Sequence, residues 1–295
     1  MPSPFFSHLT DRALIRVAGA DAHHFLQNLV TADMETIDQT GAGAAALLTP
    51  QGKIQFDFLI YKTGDGYLID AARTVAADLL KRLTFYRLRA KVELELMPED
   101  TGVFAAWNAP DIDNTLVTVA DPRLPELGRR IVAPALPILQ SEKAEIASLA
   151  SYEAHRIRLG VPEGLKDYDY SSIFPHDADL DQLGGVSFTK GCYVGQEVVS
   201  RMQHRSSARK RFVQVTSAEA LPARGTDITA DGKSIGTLGS STASGDGVIG
   251  LALVRLDKVA HAKDNGIPLQ CGDSLVSVRL PEWAEFTWPE PSAAN

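Results

Sequence analysis

Residues 184–211, GGVSFTKGCYVGQEVVSRMQHRSSARKR, combine glycines, a thiol, amide and acid side chains and a run of cations. Apolar residues recur at Val194, Val198 and Met202, a spacing that places them on one face of a short helix. Cys192, one of only two cysteines, comes directly before this helical pattern. The stretch therefore predicts a glycine-rich loop that leads into a helix, with the thiol at or just before the helix N-terminus.

The position predicted for Cys192 has two chemical interpretations. Unpaired backbone N–H groups, the helix dipole and the ammonium of Lys190 would together favour the thiolate form of Cys192. Gly191 and Gly195 would let the backbone approach a ligand closely. The alternative, to which the spacing gives about equal weight, is an inert cysteine buried in a turn, because free cysteine is among the most buried residue types.

A basic run follows Cys192 in a chain that is acidic as a whole. The net charge of -8 and the pI near 5.4 argue against a protein whose whole surface binds nucleic acid. Glu197 and Arg201 are four residues apart in the order that favours a helical ion pair. The cations of the run are Arg201, His204, Arg205, Arg209, Lys210 and Arg211. Such a run is usually a solvated face, but it can also hold carboxylates or phosphates.

The cysteine pattern indicates a reducing compartment. Cys192 and Cys271 are far apart and belong to no CxxC or Cys/His array, which argues against a disulfide framework, a structural zinc site or a cluster held by this chain alone. Residues 1–12 lack a basic segment followed by an apolar core, and no apolar run is long enough to span a membrane. We therefore predict a soluble cytoplasmic protein with no membrane partner.

Residues 1–205 mix strand and helix patterns. Strands are predicted at residues 13–17, 44–48, 53–61, 67–71, 91–97, 103–107, 116–119 and 130–133. The turns TPQG and KTGDG join three of these strands into an antiparallel meander. Helices are predicted after caps at Asp21 and Thr74, and a third at residues 141–159. This mixture predicts an α+β fold rather than a doubly wound sheet.

The pattern changes at Ser206, where the helical periodicity weakens. Short strands are predicted at residues 212–216, 227–229, 234–238, 248–254 and 274–279, with turns such as ADGK and SGDG between them. We therefore divide the chain into an α+β region, residues 1–205, and a small all-β barrel or sandwich, residues 206–295.

Two other groups of residues are candidates for a site. His176, Asp177, Asp179 and Asp181 are potential metal ligands, but their spacing matches no metal loop, and solvated loop acids are the favoured interpretation. We predict no metal site. Asp11 and Asp57 lie next to and within predicted strands, where a carboxylate facing a pocket would bind the N–H donors of a heterocycle. From the sequence alone, a turn acid and an outward-facing strand residue are the simpler interpretation.

Several segments resemble the YgfZ family of folate-binding proteins, which includes mitochondrial factors that assist late iron–sulfur cluster assembly. The most specific is KGCYVGQE at residues 190–197. The others are ALIRVAGADAHHFLQNLVTAD, LLTPQGKIQFDFLIY, FYRLRAKVEL, RIRLGVPEG and FPHDADLDQLGGVSFTKGCYVGQEVVSR. The resemblance thus extends over most of the chain.

The resemblance implies a fold like the aminomethyltransferase of the glycine cleavage system, with two related α+β subdomains and a C-terminal β-barrel around a central folate site. It also implies that tetrahydrofolate binds there, that Lys190 and Cys192 line the site, and that Asp11 is the acid near the pterin. The candidate catalytic residues are Cys192 and Lys190. The candidate cofactor-binding residues are Asp11, Gln27, Lys190, Tyr193, Gln196, Glu197 and Arg201.

One position departs from the enzymes of this fold. Aminomethyltransferases resemble GGxxDD where this chain has GKIQFD, so Phe56 replaces an aspartate beside the reacting folate nitrogen. Phenylalanine cannot exchange a proton, which argues against efficient aminomethyl transfer, although Asp57 remains.

The sequence therefore predicts a tetrahydrofolate-binding accessory protein that supports assembly or repair of iron–sulfur enzymes, including enzymes that modify tRNA. The expected partners are folate and iron–sulfur client enzymes or assembly proteins, without direct binding of nucleic acid. A folate-dependent aminomethyltransferase or demethylase is the first alternative. A scaffold that docks client proteins without folate is the second.

Overall fold

The computed structural model describes residues 5–108, 115–135, 145–204 and 209–289. The chain forms two compact units. The first contains residues 1–152 and 183–196, and the second contains residues 153–182 and 197–295.

The first unit contains two five-stranded sheets. Its strands are β1 (Phe5–His8), β2 (Arg12–Ala18), β3 (Ala42–Leu48), β4 (Ile54–Thr63), β5 (Gly66–Ala72), β6 (Glu93–Leu96), β7 (Thr101–Trp107), β8 (Val117–Ala120), β9 (Arg129–Pro134) and β10 (Glu145–Ala147). One sheet has the order β3-β4-β5-β2-β6 and is antiparallel throughout. The other has the order β10-β1-β7-β9-β8, in which only β1 and β10 pair in parallel. The predicted meander is confirmed as β3, β4 and β5.

A network of buried charges connects the two sheets. Arg12 of β2 binds Asp70 of β5 at 2.6 Å, and the Tyr61 hydroxyl donates to the same carboxylate at 2.7 Å. Arg130 of β9 lies 3.8 Å from Asp70 and binds Asp121 at 2.9 Å. These arginines and aspartates are at most 7% exposed. Buried ion pairs of this kind are costly to disrupt, because each lost partner leaves a charge in the core.

In the described ranges, the predicted helices are present but differ in their caps or first residues, and the helix at residues 34–40 was not predicted. The helices are α1 (Ala22–Gln27), α2 (Met34–Thr40), α3 (Arg73–Arg87), α4 (Leu149–Leu159), α5 (Gln196–His204) and α6 (Leu256–Asp264). Asp21 occupies the N-cap position of α1, but its carboxylate accepts a hydrogen bond from the Lys91 backbone N–H at 2.7 Å instead of capping the helix. Thr74 is not the cap of α3, because the N-cap residue is Ala72.

The helix predicted at residues 141–159 is confirmed from Leu149 onward and is wrong at residues 145–147. Residues 141–144 lie outside the described part of the chain, and Glu145 belongs to β10. The helix begins at Leu149. Pairing with β1 explains the difference, since hydrogen bonds to a neighbouring strand override a helical charge pattern.

The second unit contains a closed six-stranded barrel, as predicted. Its strands are β11 (Lys210–Ser217), β12 (Asp227–Ala230), β13 (Lys233–Ser244), β14 (Gly247–Arg255), β15 (Leu269–Cys271) and β16 (Ser274–Arg279). Alternate residues such as Val276 and Val278 face its core. The prediction missed β15 and α6, although Leu256, Val259 and Ala260 have helical spacing and are buried.

The α+β class with a C-terminal barrel is thus confirmed. None of the helices in the described ranges is long and apolar enough to cross a membrane.

Candidate functional site

Lys190 is buried in the loop before α5. Its side-chain Nζ donates to the carbonyl oxygens of Val30 and Ala32 at 2.8 and 2.6 Å. Burial lowers the pKa of Lys190 to about 8, and the negative charge of Asp33 opposes this shift. Lys190 therefore holds the loop against the segment that follows α1. Keeping its ammonium group charged in this buried position costs free energy.

Cys192 is exposed and free, so the interpretation that this thiol is buried is wrong. It lies four residues ahead of α5, farther from the helix N-terminus than the spacing predicts. Tyr193 is 7% exposed, and burial raises its pKa to about 12. The hydroxyl of Tyr193 has no hydrogen-bond partner among the described residues. The loop thus presents an accessible thiol beside a buried phenol that has an unused donor.

Gly195 fixes the loop against the turn before β4. It has φ +80°, and a Cβ atom there would lie 2.7 Å from the Thr49 carbonyl oxygen and 3.0 Å from the Gly52 Cα. Only glycine tolerates both this backbone conformation and this approach. The turn continues into Gln55 and Phe56 of β4. The KGCYVGQE motif is therefore packed next to the strand that carries Phe56.

Phe56 lines a groove of about 390 Å³ between β4 and α3. The other lining residues are Gln55, Asp78, Lys81, Arg82 and Phe85. Neither Lys81 nor Arg82 forms an ion pair with any residue in the described ranges. The groove thus combines two aromatic rings, one carboxylate and two available cations.

The α3 wall of this groove was not predicted from the sequence. Its residues, Asp78, Lys81, Arg82 and Phe85, recur at i, i+3, i+4 and i+7, which is the spacing of one helix face. The pattern was available in the sequence. The apolar positions of α3 predict only its buried face, whereas the groove is formed by the opposite face.

A second cavity has a volume of about 610 Å³. It is lined by parts of α2, by residues 120–122 and by residues 184–189. Its charged lining residues are Asp33 and Asp121, and no Lys, Arg or His of the described chain lines it. Asp121 is neutralised by Arg123 and Arg130, at 2.8 and 2.9 Å. Although larger, this cavity is unsuited to a ligand with carboxylates.

The remaining candidate residues lie in several places. Asp11 is half-buried in the turn before β2, where its carbonyl oxygen accepts a hydrogen bond from the N–H of Arg73, the first residue of α3. The Gln27 amide donates to Asp33 at 3.0 Å and accepts from the Met34 N–H at 2.8 Å, so it organises the start of α2. Gln196 is the first residue of α5.

Glu197 and Arg201 are exposed on α5, in the second unit. The predicted ion pair between them is absent from the described contacts. Arg205 of the basic run lies outside the described residues.

The acids near His176 are used within the second unit. Arg211 binds Asp181 at 2.5 Å and lies 3.4 Å from Asp179. Burial raises the pKa of Asp179, and the charge of Arg211 opposes this rise. Across the described ranges, no group of three or more His, Cys, Asp or Glu residues is arranged to hold a metal ion.

Comparison with solved structures defines the fold class. The glycine cleavage system aminomethyltransferase T from Bartonella henselae superposes with a TM-score of 0.76, covering 98% of this chain and 88% of that chain at 16% identity. The chain therefore has an aminomethyltransferase-like fold. The family model for the CAF17 C-terminal beta-barrel domain matches residues 209–286, which contain the barrel.

Curated relatives define the family. The mitochondrial iron-sulfur cluster assembly factor IBA57 homolog of Coccidioides immitis is 32% identical over 90% of this chain and 75% of that protein. The homolog of Pyricularia oryzae is 36% identical over 85% and 72%, and human mitochondrial IBA57 is 31% identical over 96% and 85%. The chain belongs to the IBA57 family of iron–sulfur cluster assembly factors.

These relatives confirm part of the sequence prediction and correct another part. An iron–sulfur assembly factor on an aminomethyltransferase-like fold is confirmed, but the family that the relatives name is IBA57 rather than YgfZ. The cytoplasmic location is contradicted, because the relatives are named as mitochondrial. That prediction rested on features that residues 1–12 lack, and such an absence does not determine a compartment.

Proposed function

We propose that this iron–sulfur cluster assembly factor binds tetrahydrofolate in the groove between β4 and α3 and acts on its iron–sulfur partners through Cys192. The observation that carries the proposal is the composition of the groove. Phe56 and Phe85 offer aromatic surfaces to a heterocycle, Asp78 can accept from its N–H groups, and Lys81 and Arg82 can bind carboxylates. The volume of about 390 Å³ lies within the range typical of small-molecule sites.

The KGCYVGQE resemblance supports the same placement. It implies a folate next to the position of Phe56, and the packing of Gly195 on the turn at Thr49 and Gly52 places the motif beside that strand. The apolar Phe56 favours a binding role over aminomethyl transfer, because the folate nitrogen would face a ring that cannot exchange a proton.

Cys192 is the residue that we assign to the cluster-related step. A single exposed thiol supplies one ligand, whereas iron–sulfur clusters in proteins are held by four ligands, so a cluster handled here would need further ligands from a partner. The partners we propose are iron–sulfur client enzymes or assembly proteins, among them enzymes that modify tRNA.

Titration calorimetry under anaerobic reducing conditions tests the folate proposal. Tetrahydrofolate should bind the wild type saturably, and the double variant Lys81→Ala/Arg82→Ala should bind at least about tenfold more weakly. Asp11→Ala and Lys190→Ala test the residues predicted from the sequence. Arg224→Ala, an exposed arginine of the second unit, is the control. An absence of binding to the wild type would refute the proposal.

The two cysteines provide a matched test of the thiol. In a strain that lacks this protein, the Cys192→Ser variant should fail to restore the activities of iron–sulfur enzymes, whereas Cys271→Ser should restore them because Cys271 is buried in the barrel core. Full restoration by Cys192→Ser would exclude this role of the thiol.

A further inference from the structure

The C-terminal end of α3 exposes two large apolar side chains. Phe85 is 70% exposed and Leu88, the residue directly after the helix, is 88% exposed. Exposed apolar side chains of this size are common singly, but neighbouring ones in a soluble protein mark an interaction surface.

The backbone at Leu88 is strained. Its φ is +46° and its ψ is -107°, outside the regions that non-glycine residues normally occupy. The side chain of Leu88 is almost fully exposed, so its contacts within the chain offset little of this strain energy. Strain of this kind is concentrated at functional sites, where the local conformation serves a ligand or partner.

Cations flank this apolar pair in the sequence. Residues 78–91 contain five cations, Lys81, Arg82, Arg87, Arg89 and Lys91, against one carboxylate, Asp78. None of the five forms an ion pair with a described residue. The α3-end surface, defined as Phe85, Arg87, Leu88 and Arg89, is therefore positively charged on a chain whose net charge is -8.

We infer that the α3-end surface docks a partner protein that presents an acidic patch around an apolar pocket, and that this partner covers the mouth of the groove. The inference rests on the proposed function and identifies where an iron–sulfur partner would bind. Charge complementarity selects the occupant, because Arg87 and Arg89 are exposed and available. A long polyanion such as RNA, or an anionic membrane, would extend over acidic parts of the chain and be repelled there, whereas a compact acidic patch can contact the basic surface alone.

The groove and the α3-end surface consist largely of different residues. Lys81 and Arg82 line the groove, whereas Arg87, Leu88 and Arg89 are not among its lining residues. Phe85 belongs to both, since it lines the groove and is largely exposed. Folate binding and partner docking can therefore be disrupted independently.

Photo-crosslinking identifies the partner. The full chain, with Tyr86 replaced by a photo-crosslinking amino acid, is expressed in a strain that lacks the native copy, and the crosslinked protein is identified and purified. We expect a protein that carries or receives an iron–sulfur cluster and has an acidic surface patch. A captured protein without such a patch, or no captured protein, would overturn the inference.

Binding of the purified partner to the full chain then tests the residues. Leu88→Asp and Arg87→Glu/Arg89→Glu should each weaken binding at least tenfold, and the affinity should fall as salt is raised, while both variants bind tetrahydrofolate like the wild type. Leu275→Asp, at a 62% exposed leucine of the barrel, is the control and should bind the partner normally. Wild-type affinity in both α3-end variants would overturn the inference, whatever the behaviour of Lys81→Ala/Arg82→Ala toward folate.

Two further probes address other occupants. Polyuridylic RNA and vesicles of phosphatidylcholine with anionic lipid should bind the wild type no better than they bind Leu88→Asp. If RNA or the vesicles bind the wild type better than Leu88→Asp, and Leu88→Asp still binds the partner protein normally, the surface belongs to RNA or to the membrane instead.

Discussion

At the scale of single residues, Lys190 makes the stability of the folded chain depend on pH, and the sign of this dependence follows from its pKa. The folded chain releases the Lys190 proton near pH 8, whereas the unfolded chain releases it near the ordinary value of 10.5. The unfolded state thus binds more protons between these values, and the folded state gains stability as the pH rises through this interval. Relative to Lys190→Met, the wild type should gain about 2 kcal/mol in the free energy of unfolding between pH 7 and pH 10.

Urea unfolding at both pH values measures this difference. Lys233→Met, at an exposed lysine for comparison, should show the same stability difference from the wild type at both pH values. A wild-type advantage that shrinks toward pH 10 would mean that the Lys190 charge is not penalised by burial.

Leu88 gives a second prediction at this scale. Because its side chain is 88% exposed and its φ is +46°, Leu88→Gly removes strain and almost no buried contact. The variant should be more stable than the wild type by about 1 kcal/mol in urea unfolding. It should also lose affinity for the partner of the α3-end surface, a gain of stability at the expense of function. Equal or lower stability would show that the backbone at Leu88 is not strained.

At the scale of elements, the sequence was most informative where apolar runs are bounded by turn residues. All strands of the meander and all barrel strands except β15 were predicted in this way, although β3 and β5 are buried along nearly their whole length and do not alternate. The caps at Asp21 and Thr74 and the start of α4 were not predicted, because hydrogen bonds to residues distant in sequence, such as Asp21 to Lys91, decide them. The groove face of α3 carries three charged residues and the exposed Phe85, and this face is identified as a groove wall only by the position of Phe56 opposite it.

Asp167 tests how the segment after α4 is held in the second unit. Its carboxylate binds the fully buried Arg156 at 2.6 Å and also accepts from the backbone N–H groups of Glu163 and Ser240. Asp167→Asn should lower the free energy of unfolding by about 3 kcal/mol, since it weakens the pairing of a buried cation. Two residues away, Asp169 is exposed and pairs with Arg224 at 2.7 Å, so Asp169→Asn should cost less than about 1 kcal/mol. Similar losses in the two variants would contradict this difference.

At the scale of the whole molecule, the fold and the family role followed from the resemblance of many segments, whereas the location of a ligand did not. Lys190 is committed to two backbone carbonyls and Gln27 to the start of α2. Residues that identify a family can thus be structural supports. The contacts that make them so join segments up to 160 residues apart, and spacing cannot reveal them.

Tetrahydrofolate should therefore protect a specific part of the molecule. Amide hydrogens in the groove exchange with solvent when the groove opens transiently. A ligand that binds only the unopened groove, at a concentration one hundred times its Kd, stabilises the unopened state by about 2.7 kcal/mol. It should therefore slow this exchange about one hundredfold. Hydrogen exchange with mass spectrometry should show this protection in α3, β4 and the KGCYVGQE loop. It should be lost in Lys81→Ala/Arg82→Ala. Protection centred instead on the barrel strands β11–β16 would place the ligand in the second unit, and protection around Asp33 and Ser187 would assign it to the larger cavity despite the lack of lining cations.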